Sequence, residues 1–149
     1  MNGNRYTLFA AIAVLIVAVL FLVVLLRPSG EAHARATVES FGQELKQVSL
    51  MAPDAASQIA DRYAPYTDPS LLDAWKSDPA HAPGRLTSSP YPDRIEIQSV
   101  ASQGAGYVVT GEVVEMTSTG EAGRDPVVIQ VVPEAHGYRI VAYQEQATE

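Results

Sequence analysis

Residues 107–117, YVVTGEVVEMT, decide the fold class of this chain. The stretch is rich in valine and threonine, so it predicts a β-strand that is apolar on both faces in places. Gly111 lies in its middle, where glycine indicates a bulge or a bend in a strand. The segments on either side of this stretch also carry strand patterns.

Three further strands are predicted around this one. Residues 93–101 alternate isoleucine with glutamate and glutamine, so one face of that strand is solvated. After a looser connection at 118–125, residues 126–132 and 138–144 carry similar patterns. Four strands that are joined by short turns predict an antiparallel meander.

Three helices are predicted before the strands. In residues 36–51 the apolar positions Val38, Phe41, Leu45 and Val48 recur at helical spacing and predict an amphipathic helix.

Two shorter helices follow the first one. Asp54 is placed to cap the second helix, and Asp68 before Pro69 is typical of the cap and first position of a third, with Trp75 on its buried face. Helices followed by strands predict an α+β domain in which three helices pack on a curved four-stranded antiparallel sheet.

An apolar run precedes the domain. Residues 7–26, TLFAAIAVLIVAVLFLVVLL, contain no charge, proline or glycine. At a rise of 1.5 Å per residue the run covers about 30 Å, the hydrocarbon thickness of a bilayer, so it predicts a membrane-spanning helix. The expected organisation is a short cytoplasmic head at 1–6, this span in the lipid bilayer, a juxtamembrane linker at 27–35 and the domain at 36–146.

A cleaved signal peptide is the alternative interpretation of the run. Ala32-His33-Ala34 matches an A-x-A cleavage pattern. The length of the run and the position of Arg27 directly after it favour an uncleaved anchor. The head is too short to be a domain, so the folded part follows the span. A single N-terminal anchor followed by an exported domain is the commoner plan, so we expect a single-pass protein of the cell membrane with its N-terminus inside and its domain outside.

The chain after the span is acidic. Residues 31–149 hold 17 acidic residues against 8 basic ones, the ten of the chain less Arg5 and Arg27, so their net charge is −9. This charge disfavours binding to nucleic acid and to anionic lipid surfaces. The chain has no cysteine, which excludes thiol chemistry and disulfides.

The most irregular stretch is residues 82–94, APGRLTSSPYPDR. One interpretation is a rigid connection between the helices and the sheet. The other is a binding loop in which an arginine meets a carboxylate and a tyrosine meets an apolar surface. The candidate interaction residues are Pro83, Arg85, Ser89, Tyr91 and Arg94.

No catalytic, cofactor-binding or metal-ligating residue is predicted. The three histidines fall in separate connecting segments without a ligand motif: His33, His81 and His136. A dyad of Asp61 or Asp73 with Tyr107 can be drawn, but sequence does not single out such a pair, and structural roles are favoured.

The order of a membrane anchor, helices and a four-stranded antiparallel sheet resembles the cone-shaped, cystatin-like fold of the nuclear transport factor two-like superfamily. More narrowly, it is similar to the single-span component of type IV secretion systems that carries a periplasmic domain. The resemblance rests on element order over nearly the whole chain. It implies a cavity between helices and sheet that binds a ligand, holds a catalytic dyad or is packed shut.

The preferred hypothesis is a noncatalytic module for protein interaction or assembly, with a membrane or envelope protein as its partner. A homo-oligomer is a second option for the assembly, because alanines in the span allow two helices to approach closely. The alternative is a domain, or an unrecognised enzyme, that binds a small molecule or lipid in the cone. The expected lining of that pocket is Tyr63, Trp75, Ile95, Tyr107 and Tyr138.

Overall fold

A computed structural model describes residues 29–146 of the chain. The predicted span at Thr7–Leu26 and the head before it lie outside the described residues. Within residues 29–146, no helix is both long enough and apolar enough to cross a bilayer. The membrane anchor therefore stays a prediction from the sequence.

The described chain forms three α-helices and then four β-strands. The helices are α1 (Gly30–Glu44), α2 (Ala55–Tyr63) and α3 (Pro69–Ser77). The strands are β1 (Tyr91–Gln103), β2 (Gly106–Thr117), β3 (Gly120–Glu134) and β4 (Gly137–Glu145). The strands pair antiparallel in sequence order, so the predicted α+β fold with three helices and a four-stranded antiparallel sheet is confirmed.

Each pair of neighbouring strands contains a register shift, and such bulges bend strands. The shift predicted near Gly111 is present, but the extra residue lies on β1, where pairing skips Gln98 between Ile97 and Ser99. A Cβ atom at residue 111 would lie 2.6 Å from the carbonyl oxygen of Glu96. Glycine at this position therefore lets the backbones of β1 and β2 approach closely.

The helices cover the face of the sheet that carries the buried side chains of Ile95, Val109 and Ile129. We call this the concave face and the opposite one the convex face, and helix α1 lies on the concave face. Its predicted apolar stripe is confirmed, since Val38, Phe41, Leu45 and Val48 are all buried, the last two just beyond the helix end. Gly42 brings the helix close to β1, because a Cβ there would lie 2.8 Å from the backbone nitrogen of Ile95.

The first helix begins earlier than predicted, at Gly30 instead of Ala36. Ser29 caps it, because its side-chain oxygen accepts a hydrogen bond from the backbone N–H of Ala32 at 3.2 Å. Residues 30–35, predicted as part of the juxtamembrane linker, are thus helical. The hydroxyl groups of Tyr107 and Tyr138 lie against Gly30, so the sheet supports this first turn.

The two short helices start differently. Asp68 caps α3 as predicted, since its carboxylate accepts from the N–H of Ser70 at 2.8 Å and Pro69 follows it. Asp54 occupies the corresponding position of α2 but makes no side-chain cap bond. Its carboxylate accepts instead from the Gln58 amide at 2.9 Å.

Replacing Asp68 with alanine is expected to lower the free energy of unfolding by about 0.5 to 2 kcal/mol, because the N–H of Ser70 loses its partner. Urea unfolding of the full chain in detergent, followed by the fluorescence of the single tryptophan, Trp75, measures the change. Asp68→Asn is expected to retain the cap. The matched control is Asp54→Ala, expected to cost less than about 0.5 kcal/mol; equal losses in the two alanine variants would contradict the assignment of the cap.

Candidate functional site

The interior between the helices and the sheet is filled by aromatic side chains. Phe41 of α1 lies at its centre, with ring centroids 4.9 Å from Tyr63, 6.0 Å from Trp75 and 6.0 Å from Tyr143. Three of the five residues expected to line a pocket, Tyr63, Trp75 and Ile95, are buried in this core. They pack against other side chains there.

The remaining two residues of that set, Tyr107 and Tyr138, lie at the start of α1. They are partly buried, their ring centroids are 6.0 Å apart, and the His33 ring stacks on Tyr138 at 5.9 Å. The hydroxyl groups of both tyrosines lie against Gly30, so these side chains support the first turn of α1.

The polar atoms of the core are satisfied. The hydroxyl group of Tyr63 donates to the carbonyl oxygen of Pro83 at 2.7 Å, and burial raises the pKa of this tyrosine, with Glu44 adding to the effect. Among residues 29–146, every fully buried side-chain nitrogen or oxygen has a hydrogen-bond partner. The core thus presents no unpaired polar atom to a ligand.

The proline-rich loop, residues 82–94, is joined to the segment after α1. The N–H of Leu50 donates to the carbonyl of Arg85 at 2.9 Å, and the N–H of Arg85 donates to the carbonyl of Val48 at 2.8 Å. Of the other candidate interaction residues, Ser89 is exposed and Tyr91 begins β1. The first half of the loop is therefore held by backbone hydrogen bonds, whereas residues 86–90 are exposed to solvent.

Arg94, the last of these candidates, belongs to an ion-pair network on the convex face of the sheet. Its guanidinium contacts Asp93 at 3.0 Å and Glu96 at 2.5 Å, and Glu96 also contacts Arg124 at 2.6 Å. Arg124 and Arg94 together lower the pKa of Glu96. The strand register places Val114, which is fully buried, between the two arginines. The network covers this apolar residue.

A depression of about 280 Å³ lies where the segment after α1, the proline-rich loop and the end of β4 meet. We call it the distal groove, because it is at the end of the sheet away from Gly30. Its lining includes Leu50, Ala82, Pro83, Leu86, Tyr143 and Glu145. Pro83 is the one predicted interaction residue among these six.

One lining residue of the groove, Leu86, is 58 % exposed. Met51, which follows the lining residue Leu50 in the chain, is 72 % exposed. They are the large hydrophobic side chains that stand out to solvent among residues 29–146. Exposed apolar groups beside a depression are typical of a surface that contacts another molecule.

Three carboxylates lie on the concave face beside the groove. Strand register and alternation place Glu115 of β2, Asp125 of β3 and Glu145 of β4 diagonally across this face. Burial raises the pKa of Glu115, and the charges of Asp125 and Glu145 raise it further. None of the ion pairs between residues 29 and 146 involves these three. We call them the acidic rim.

Glu115→Gln is expected to raise the melting temperature of the full chain at neutral pH. A carboxyl group whose pKa is raised by folding stabilises the folded state below its ordinary value of 4.5 and loses that contribution as the pH rises through the folded pKa. The difference from the unmodified chain should therefore grow as the pH rises above 4.5. Thermal unfolding at a series of pH values from about 4 to about 8 measures it.

Glu121→Gln is the control for that experiment. Arg124 lowers the pKa of Glu121 through a side-chain hydrogen bond, so its removal should destabilise the chain at neutral pH and matter less as the pH falls. Shifts of the same sign in both variants would contradict the assignment.

The histidines and the drawn dyads do not form a reactive group. Within the part of the chain that the structure describes, no cluster of three or more histidine, aspartate or glutamate side chains is arranged to hold a metal ion. The His81 ring contacts Asp78 at 2.8 Å. Asp73 pairs with Lys76 on the surface of α3, and Asp61 is exposed on α2, whereas Tyr107 lies beside Gly30.

No family model, no curated protein and no solved structure matches this chain. The resemblance to the nuclear transport factor two-like superfamily stays a prediction from element order. Function is therefore inferred from the sequence and from the geometry of residues 29–146.

Proposed function

We propose that this protein is a membrane-anchored module for protein interaction or assembly, with its folded domain outside the cell and no catalytic role. Residues 7–26 serve as a single uncleaved span with the N-terminus inside. The length and the uncharged character of this run support the anchor. The partner is another membrane or envelope protein.

The observation that carries this proposal is the contrast between the interior and the distal groove. The interior is filled by Phe41 and its aromatic neighbours, which supports a packed cone over a ligand cavity. Outside it, Leu86 and Met51 remain exposed beside a depression. Burial of such apolar side chains against a partner would remove them from water, which favours association.

The groups with displaced pKa values are mostly engaged in packing or in ion pairs. A catalytic acid or base typically has a displaced pKa inside a cleft. Tyr143 lines the distal groove and burial raises its pKa, but its ring packs on Phe41 and its hydroxyl group already donates to Glu145. Here the pKa of Tyr63 is raised in a packed core where its hydroxyl group already donates to Pro83. The pKa of Asp93 and that of Glu96 are lowered by ion pairs on the surface.

The proposed contact surface lies at the end of the domain opposite to Gly30. Helix α1 has 15 residues and thus runs about 22 Å from Gly30 toward the groove. Strand β4 also begins near Gly30, at Tyr138, and ends at the groove, at Glu145. A partner that binds in the groove would therefore leave the first turn of α1 uncovered.

Site-specific photo-cross-linking of the full chain in its host membrane tests this function. A photoreactive phenylalanine analogue in place of Leu86 is expected to give a discrete adduct with one protein. The same analogue in place of Glu39, which is exposed on α1, is the matched control and should give none. An adduct of twice the chain's mass would identify a homo-oligomer. Identical adduct patterns from both positions, or none from residue 86, would overturn the proposal.

A further inference from the structure

We infer that the distal groove binds an apolar segment of a partner protein that carries lysine or arginine beside its apolar residues. This inference rests on the proposed function and adds the chemistry of the partner. Two independent features of the described residues support it: the exposed apolar side chain of Leu86 in the lining of the groove, and the distribution of unpaired negative charge around it.

Leu86 gives the groove an exposed apolar side chain, and Met51 is exposed next to Leu50 in the chain. Leu50 lines the groove and is held by the backbone bonds to Arg85, so this part of the surface is rigid before binding. A depression of about 280 Å³ accepts a few side chains and not a folded domain, so the occupant is a segment of chain.

Charge selects among such segments. On the convex face, Arg124 contacts three carboxylates, those of Glu96, Glu112 and Glu121. On the concave face, the acidic rim has no such cation among residues 29–146, and the charges of Asp125 and Glu145 add to the effect of burial in raising the pKa of Glu115. A lysine or arginine from a partner would relieve this repulsion.

One basic side chain lines the groove, that of His81, and its ring contacts Asp78 at 2.8 Å. Arg85, the other basic residue of segment 79–86, is not among the lining residues. Glu145 lines the groove, and its carboxylate also accepts from the Tyr143 hydroxyl group at 3.2 Å. An acidic segment would therefore be repelled by the rim.

The same charges argue against a lipid surface as the occupant. Anionic headgroups would be repelled by the acidic rim. The groove also lies at the end of α1 opposite to Gly30, the end of the described chain nearest the predicted span. A protein segment is the occupant that fits both observations.

The test uses the full chain in nanodiscs of zwitterionic lipid, with empty nanodiscs as background. The probes are three short fluorescent peptides: one alternating leucine with lysine, one alternating leucine with glutamate, and one alternating serine with lysine. Fluorescence anisotropy is expected to show binding of the leucine–lysine peptide alone. The other two peptides lack the matching charge or the apolar side chains.

Two matched double variants locate the binding. Asp125→Asn with Glu145→Gln removes two charges of the rim and is expected to weaken binding of the leucine–lysine peptide at least about fivefold. Asp61→Asn with Glu39→Gln removes the same types of charge from exposed positions on α2 and α1, and should leave the affinity within about twofold. Circular dichroism verifies that both variants are folded.

Equal weakening by both double variants, equal binding of the glutamate peptide, or no binding of any peptide would overturn this inference. The proposed function would survive each of these results if the analogue at residue 86 still gave a discrete adduct. If the adduct were absent but the leucine–lysine peptide still bound in a rim-dependent way, the inference about the groove would stand. The proposed function, in which a protein of the host membrane is the partner, would then be contradicted.

Discussion

Replacing Phe41 with alanine is expected to lower the free energy of unfolding by about 3 to 5 kcal/mol, the range for truncating a buried phenylalanine. Phe41 is fully buried and contacts Tyr63, Trp75 and Tyr143 with ring centroids 4.9 to 6.0 Å away. These neighbours belong to two helices and a strand. They cannot all move into the space that the ring leaves, so a cavity remains.

Urea unfolding of the full chain in detergent measures this loss. Trp75 is the single tryptophan and stacks on Phe41 at 6.0 Å, so its fluorescence reports directly on the packing of this core. The control is Met51→Ala, expected to change stability by less than about 0.5 kcal/mol because that side chain is 72 % exposed. A loss below about 1 kcal/mol in the Phe41 variant would contradict a filled interior.

Replacing Gly42 with alanine is expected to destabilise the chain by about 1 to 3 kcal/mol. Two effects oppose each other here. Alanine in place of glycine favours a helix by about 1 kcal/mol. The new Cβ, however, would lie 2.8 Å from the backbone nitrogen of Ile95 and 3.1 Å from its Cβ. A backbone atom within a paired strand cannot move aside as a side chain can, so the steric effect is larger.

Gly123→Ala is the matched control for that substitution. Gly123 lies in β3, and a Cβ there would meet no atom within 4 Å. We expect a change of less than about 0.5 kcal/mol in the same unfolding experiment. A stabilising effect of Gly42→Ala would show that α1 can move away from β1 at little cost.

The helices were predictable because their signals are local. The stripe from Val38 to Val48 and the Asp68-Pro69 pair depend on residues a few positions apart, and both are confirmed. The start of α1 was missed because its support is distant, since Gly30 rests on Tyr107 and Tyr138 of the sheet. Strand β3 begins at Gly120 instead of Pro126, because residues 120–125 pair with β2 despite a weak strand pattern of their own.

The candidate site was harder to predict than the fold. The sequence indicates that the proline-rich loop is unusual, and Pro83 does line the groove. The groove, however, also depends on Leu50 and on Tyr143, which lie far from the loop in the chain. The contact between Arg124 and Glu96, which joins β3 to β1, likewise has no local signal. The groove depends on the packing of segments that are distant in the chain, and the ion pair depends on the register of β1, β2 and β3.

The seating of Gly30 against Tyr107 and Tyr138 has a mechanical consequence. It makes the first turn of α1 part of the rigid body of the domain. A hinge within residues 30–35 is therefore disfavoured, because bending the helix there would separate Gly30 from both tyrosines. A torque applied at Gly30 would turn the sheet together with α1, and over the helix length of about 22 Å it would displace the distal groove along with them.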